Sequence, residues 1–194
     1  MATIGKFSKK NSQQYEDPLA EVYYKASSYI SNKVIIHPNI ITTLRLVIMI
    51  GLTVAFYHKK YTIIMALLVQ VCWFLDHLDG DMARRHNLVT TFGDYYDHIV
   101  DVTYLLPLYV ILIFRLYVKP GFIVLLLLLI LLNITTYMLV SCQEQLFHKK
   151  KKKTGSKLLQ LLSSVCYANE QHLKILKFFG GSLLMLYVGF LMIY

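Results

Sequence analysis

Residues 121–142 read GFIVLLLLLILLNITTYMLVSC, a run of 22 residues without a charged side chain. A helix needs about 20 mostly apolar residues to cross the hydrocarbon core of a bilayer. The composition agrees, because 56% of the 194 residues are hydrophobic and the mean hydropathy is +0.50, whereas soluble domains are roughly 45–50% apolar. The sequence therefore predicts an all-α membrane protein with several transmembrane helices.

Other apolar segments lie on both sides of this run. We predict about six spans, near residues 40–57, 61–76, 95–117, 122–142, 157–168 and 174–194. The fifth is only 12 residues long, so five spans is the alternative. Residues 18–36 carry apolar side chains at helical spacing, which predicts an amphipathic interfacial helix. Residues 1–17 are polar and are expected to be a disordered arm before a single membrane domain at 18–194.

The cations are distributed unevenly around these spans. With six spans, one side of the membrane holds 13 Lys and Arg residues and the other holds six. The positive-inside rule then places the N-terminus and the loop at 77–94 in the cytoplasm. The net charge is +9, and the cationic residues flank apolar runs. We therefore expect the protein to have membrane lipid as a partner and no nucleic acid.

Six of the 11 acidic residues lie between positions 76 and 101. Asp76 and Asp79 are three residues apart at the end of the second span, and Asp97 and Asp101 are four apart at the start of the third. Residues at these spacings share a helix face. A carboxylate at membrane depth costs at least a few kcal/mol and usually has a functional reason. Two such helices joined by a loop would direct all four carboxylates to one centre.

Four close carboxylates repel one another unless cations neutralise them. Hard oxygen ligands at this density suit Mg²⁺, Mn²⁺ or Ca²⁺, and carboxylates that hold two metals suit an in-line displacement at phosphorus. Gly80 and Ala83 allow close approach of a ligand, as does Gly93, and Arg84 is a planar donor suited to phosphate. Arg45 lies inside the first span, and we expect it to face the site. Asp81 and Asp94 are expected to be solvated or to lie behind the ligands.

The full stretch resembles the signature of the class I CDP-alcohol phosphotransferases (CDP-alcohol phosphatidyltransferases), D-x2-D-G-x2-A-R-x8-G-x3-D-x3-D. All eight fixed positions match, over 26 residues from Asp76 to Asp101. Upstream, Pro38-Asn39-Ile40-Ile41-Thr42 is similar to the P-N-x-x-T that opens the first span in that family. The resemblance covers most of the chain from about residue 18 onward.

The resemblance implies a membrane enzyme of phospholipid synthesis that transfers a phosphoryl-linked group from a CDP-activated donor to an alcohol and releases CMP. It implies two Mg²⁺ or Mn²⁺ ions held by Asp76, Asp79, Asp97 and Asp101, with Asp101 also the general base. It implies CDP contacts at Asn39, Thr42, Gly80, Ala83, Arg84, Thr90 and Gly93. A homodimer whose site opens to the cytoplasm is also implied.

Two alternatives remain open at this stage. The pair Asp97-His98 is similar to the branch that uses CDP-choline or CDP-ethanolamine with diacylglycerol as acceptor, whereas the short chain favours CDP-diacylglycerol as donor. A different class, a divalent-cation channel or transporter, would use the carboxylates for selectivity. The acids cluster at one end of the spans beside Arg84, which favours the transferase.

Overall fold

The computed structural model describes residues 18–58, 63–148 and 177–194. Within these ranges the chain is helical and contains no strand. The helices are α1 Pro18–Lys33, α2 Pro38–Tyr57, α3 Ile63–Arg85, α4 Thr91–Leu116, α5 Phe122–His148 and α6 Gly181–Ile193, with a 3-10 turn at Lys177–Phe179. The predicted arm at 1–17 and fifth span at 157–168 lie outside the described residues.

Four of these helices, α2 to α5, are long and apolar enough to cross a membrane. They contain 20 to 27 residues, and at about 1.5 Å per residue each covers roughly 30 Å or more. The predicted all-α membrane architecture is therefore confirmed. The last predicted span, at 174–194, contains a helix of only 13 residues that begins at Gly181, so this helix covers only about 20 Å.

The polar stretch at 77–94 is mostly helical, which corrects the predicted loop. Helix α3 continues past Asp76 to Arg85, because Met82, Ala83 and the two arginines after them are good helix formers. The turn to α4 therefore occupies only residues 86–90. Asn87 adopts a left-handed conformation there, with φ 55°, and the Leu88 N–H donates to the Ala83 carbonyl at 2.9 Å. This is a common helix end, and asparagine tolerates its conformation.

The chain comprises two compact units. The unit with the acidic motif comprises Val22–Leu127 and Met185–Tyr194. The other unit includes the described part of Leu128–Leu184, where Asn133 and Thr136 donate to carbonyls of their own helix, at Leu129 and Leu132. Such bonds satisfy polar side chains where water is excluded. The single domain at 18–194 stays a prediction.

Helix α2 is the centre of the first unit and packs against both α3 and α4. It begins at Pro38 after the N-cap residue His37, and a proline in the first turn loses no hydrogen bond. One stripe of α2 is buried, at Pro38, Ile41, Thr42, Arg45, Met49, Leu52 and Phe56. These positions recur every three or four residues, which keeps one face toward α3 and α4.

The predicted helix before the first span is present as α1, and it is tied to α3 by polar contacts. The Tyr23 hydroxyl donates to Gln70 Oε1 at 3.2 Å. Arg85 donates to Asn32 Oδ1 at 2.7 Å and to the Ser28 hydroxyl, and it pairs with Asp81 at 3.1 Å. Because the Asp81 side chain is only 3% exposed, the first of its two expected positions, solvated or behind the ligands, is excluded. Asp81 holds Arg85 in place for the contact with α1.

We predict that Asp81→Leu lowers the free energy of unfolding by about 3 kcal/mol, because removal of one partner leaves a charge that is paired in the folded protein without its counter-ion. Thermal unfolding of the purified protein in detergent measures the loss. Asp94→Asn is the matched control, since Asp94 is exposed on α4 and should change stability by less than about 0.5 kcal/mol. Equal stability of the Asp81 and Asp94 variants would show that the Asp81–Arg85 pair does not secure α1.

Candidate active site

The acidic motif lies where three helix ends meet. The N-terminal half of α2 supplies Asn39, Thr42 and Arg45, the C-terminal part of α3 supplies Asp76 to Arg84, and the start of α4 supplies Gly93, Asp97 and Asp101. The short turn at 86–90 sends α4 back from the end of α3. Packing of α2 against both helices then brings the three sets of residues together.

Three aspartates converge on the guanidinium of Arg45. Arg45 Nη1 donates to Asp76 Oδ1, and Arg45 Nη2 donates to Asp97 Oδ1 at 2.6 Å and lies 3.1 Å from Asp101 Oδ1. One ligand oxygen from each of the three carboxylates lies within 4.8 Å of the others. Of the four aspartates predicted to converge on one centre, the structure brings together Asp76, Asp97 and Asp101, and Asp79 is not part of the group.

The positive charge of this cluster is buried, and its negative charges are partly exposed. The Arg45 side chain is fully buried, whereas the side chains of Asp76, Asp97 and Asp101 are 27%, 33% and 38% exposed. The cation thus lies behind the carboxylates, and the carboxylates retain an accessible edge. When all three are ionised, they exceed the single guanidinium by two negative charges, so the cluster is suited to a further cation at its exposed edge.

Asp79 lies outside this group. Its Oδ2 accepts a hydrogen bond of 2.7 Å from the Thr42 hydroxyl, and both residues are buried. Asp79 is almost one helical turn beyond Asp76, roughly 4.5 Å along the axis, which brings it level with Thr42. A hydroxyl has one hydrogen to donate, and the Pro38 carbonyl lies farther from Thr42 Oγ1, at 3.2 Å. Thr42 therefore orients Asp79.

Three predicted nucleotide-contact residues meet beside the acidic group. Thr90 is the N-cap of α4, and its hydroxyl accepts a bond of 3.0 Å from the Gly93 N–H. A Cβ at Gly93 would lie 3.1 Å from Thr90 Oγ1 and 3.2 Å from Asn39 Oδ1, closer than side chains normally approach. Gly93 is therefore required for the close contact among Asn39, Thr90 and the backbone of α4.

Gly80 has a similar relation to Arg84 on the next turn of α3. A Cβ at Gly80 would lie 3.0 Å from Arg84 Nη1 and 3.2 Å from Nη2, so the guanidinium rests against the glycine. Arg84 is exposed, and Ala83 beside it is half-buried. An exposed, planar guanidinium on the helix that carries Asp76 and Asp79 is suited to bidentate contact with a phosphate.

Arg45 is part of the site, although it lies outside the signature at 76–101. We expected it to face the site, and the structure shows it at the centre of the carboxylates. The signal lies in the spacing, because Asn39, Thr42 and Arg45 follow one another at intervals of three and so share a face of α2. The two motif histidines lie to the side, where His77 bonds the Trp73 carbonyl and His98 bonds the Asp94 carbonyl.

The donor set fits a hard divalent cation. Its atoms are carboxylate oxygens, which Mg²⁺ and Mn²⁺ prefer over nitrogen or sulfur. Arg45 contacts Oδ1 of all three aspartates, and a carboxylate has a second oxygen with further acceptor sites. The same side chains can therefore bond the guanidinium at the back and a cation at the front.

The model of the CDP-alcohol phosphatidyltransferase family matches residues 35–193. This is most of the chain, so the protein belongs to that family. No curated protein and no solved structure matches the chain. The protein is therefore a membrane enzyme of phospholipid biosynthesis that transfers phosphate-linked groups from CDP-alcohols to alcohols, in a family that uses divalent metal ions.

We predict that Arg45→Leu destabilises the metal-free protein by about 3 kcal/mol, because the three carboxylates lose their shared counter-ion. Mn²⁺ should then raise the melting temperature of this variant more than that of the wild type. Arg84→Leu is the control, because Arg84 is exposed and should hardly alter unfolding of the metal-free protein. A metal-free Arg45→Leu variant as stable as the wild type would contradict the counter-ion role.

We also predict that Gly93→Ala raises the KM for a CDP-linked donor roughly fivefold, since the new methyl group displaces Asn39 or the Thr90 hydroxyl and costs about one hydrogen bond. Steady-state CMP release measures the change. Gly51→Ala is the matched control, because a Cβ at Gly51 meets nothing within 4 Å. An unchanged KM in Gly93→Ala would show that the close contact of Gly93 with Asn39 and Thr90 is not needed for donor binding.

Proposed function

We propose that this enzyme transfers the phosphatidyl group of CDP-diacylglycerol to an alcohol and releases CMP. The observation that supports this most strongly is the cluster of Asp76, Asp97 and Asp101, whose carboxylates are all partly exposed. The exposed Arg84 is on the same helix as Asp76, and its guanidinium rests against Gly80, four residues beyond Asp76. An anionic diphosphate requires cationic partners, and α3 carries both a metal-binding carboxylate and an arginine.

In the proposed reaction, the acceptor hydroxyl oxygen bonds to the phosphorus that carries the diacylglycerol. The bridging P–O bond to the cytidine phosphate breaks, and CMP leaves with the electron pair. Asp101 accepts the hydroxyl proton as the oxygen attacks. Its side chain is 38% exposed, the most open of the three carboxylates, which supports this assignment.

Asp76, Asp79, Asp97 and Asp101 would hold two Mg²⁺ or Mn²⁺ ions, and Thr42 would orient Asp79. The ions would neutralise the diphosphate and its developing charge. Arg84 would add donors to the diphosphate, with Gly80 and Ala83 giving close access to α3. Asn39 and Thr90 would contact the nucleotide, with Gly93 allowing their approach.

Two other functions receive less support. An aminoalcohol phosphotransferase was suggested by His98, but its ring bonds the Asp94 carbonyl on its own helix and lies outside the carboxylate group. A cation channel needs a continuous path for ions. Arg45 is fully buried behind the carboxylates, and its positive charge opposes cation passage through that position.

We further propose that the N-terminus and the site face the cytoplasm, as the distribution of Lys and Arg suggests, and that two copies of the chain form a homodimer.

We predict that Asp97→Asn and Asp101→Asn each reduce CMP release from CDP-diacylglycerol at least about 100-fold, because loss of a metal-binding or proton-accepting carboxylate removes a main catalytic contribution. The assay uses purified protein in detergent with Mg²⁺ or Mn²⁺. Asp94→Asn is the matched control on the same helix and should retain activity. Retention of activity in either Asp97→Asn or Asp101→Asn would refute the proposed roles.

The donor is tested with CDP-diacylglycerol, CDP-choline and CDP-ethanolamine, each with matched acceptors and lipid mass spectrometry of the product. We expect metal-dependent product with CDP-diacylglycerol. Product only with the CDP-aminoalcohols and diacylglycerol would establish the alternative enzyme instead.

A further inference from the structure

A chain of two hydrogen bonds joins α4 to the first turn of α2, through residues that the signature leaves variable. The Tyr96 hydroxyl lies 2.9 Å from Thr43 Oγ1. Thr43 Oγ1 donates to the Asn39 carbonyl at 2.7 Å. A hydroxyl has one hydrogen to donate, and a carbonyl can only accept. The hydrogen of Thr43 therefore goes to Asn39, and the Tyr96 hydroxyl donates to Thr43.

A second contact joins the same two helices one residue further along α4. Arg45 Nη2 donates to Asp97 Oδ1 at 2.6 Å. Thr43 is exposed, whereas Arg45 is fully buried, so the Tyr96 bond lies at the outer edge of the contact and the Asp97 bond lies in its interior. Neighbouring residues of a helix point about 100° apart. Two bonds in such different directions fix the rotation of α4 about its own axis, which one bond alone would leave free.

The rotation of α4 determines where its two metal-binding candidates face. Asp97 and Asp101 lie one turn apart and share a face of this helix. Asp76 lies on α3, so a rotation of α4 would move two of the three carboxylates relative to the third. In the structure, one ligand oxygen from each lies within 4.8 Å of the others. Because metal–ligand distances vary by only about 0.2 Å, metal binding depends on this orientation.

Phe92 supports the Tyr96 side chain. The two rings are stacked, with centres 5.9 Å apart and planes 10° apart. Phe92 lies four residues before Tyr96, on the preceding turn of α4. Its ring limits the rotation of the Tyr96 ring and so holds the hydroxyl toward Thr43. Thr43 lies in a helix long and apolar enough to span the membrane, where hydrogen bonds between polar side chains join neighbouring helices.

We propose that Tyr96 is a positioning residue, which acts through its bond to Thr43 to orient Asp97 and Asp101 for a divalent metal ion. Neither Tyr96 nor Thr43 is a fixed position of the signature, so the motif alone does not provide this role. The inference rests on the metal-binding role of the two aspartates in the proposed function.

The test measures binding of Mn²⁺ to the purified full-length protein in detergent, without substrate, from the loss of the EPR signal of free Mn²⁺. Tyr96→Phe and Thr43→Val should each raise the Kd for Mn²⁺ roughly fivefold, about the contribution of one hydrogen bond. The double variant should bind no more weakly than either single variant, because both changes remove the same bond. Thr43→Ser keeps a hydroxyl and should retain the wild-type Kd.

A matched control lies on each helix. Tyr95→Phe removes a hydroxyl from an exposed neighbour of Tyr96. Thr53→Val removes a hydroxyl that donates to the Met49 carbonyl of its own helix at 2.8 Å. Neither change should alter the Kd. A wild-type Kd in Tyr96→Phe, even with a lower melting temperature, would overturn the proposal, as would additive effects in the double variant.

Asp97→Asn separates the failure of this inference from the failure of the proposed function. If Asp97→Asn weakens Mn²⁺ binding far more than fivefold while Tyr96→Phe leaves it unchanged, the metal site stands and only the positioning role is refuted. If Asp97→Asn binds Mn²⁺ as tightly as the wild type, the metal-binding role in the proposed function fails, and the positioning role fails with it.

Discussion

The placement of Arg45 among three carboxylates is the interaction on which the site depends. Asp76 comes from α3, and Asp97 and Asp101 come from α4, so these helices approach one another with like charges facing inward. At separations near 4 Å, each such pair costs on the order of 4 kcal/mol at an effective dielectric constant of 20. A buried guanidinium from α2 contacts all three and offsets the repulsion. The same contact fixes α2 against the helices that carry the acids.

The turn between α3 and α4 keeps the aspartates of the two helices close together. Helix α3 is continuous to Arg85 and so includes Asp76, Asp79 and Asp81, and the turn at Asn87 reverses the chain within a few residues. A long loop would have allowed α4 to slide relative to α3 and would have separated Asp97 from Asp76. Beyond the turn, the pair of Asp81 and Arg85 extends the polar network to α1. Helix α1 therefore braces the end of α3 that carries the motif.

Much of this was accessible from the sequence, for identifiable reasons. Hydrophobic runs longer than a bilayer is thick predict spans directly, and spacings of three and four place Asp76 with Asp79 and Asp97 with Asp101. The continuation of α3 beyond Asp79 to Arg85 was missed because polar residues after a span also suit a loop. The choice between a solvated and a buried Asp81 stayed open because it depends on Arg85 and on α1, which packs only in the folded chain. The hydrogen bond between Asp79 and Thr42 was likewise not predictable from local spacing, because it joins residues 37 positions apart.

The three arginines near the motif show why residue type alone does not assign a role. Arg45 is fully buried among carboxylates, so its charge is committed to the protein. Arg85 is partly buried and divided between Asp81 and α1, so it joins elements of the fold. Arg84 is exposed, and its guanidinium rests against Gly80. In the proposed function the substrate phosphate bonds Arg84, because the guanidinium groups of Arg45 and Arg85 already bond carboxylates of the protein. The packing of α1, α2 and α4 around α3 determines how deeply each arginine is buried. Burial thus distinguishes Arg45, a counter-ion, and Arg85, a link between helices, from Arg84, which is available to a ligand.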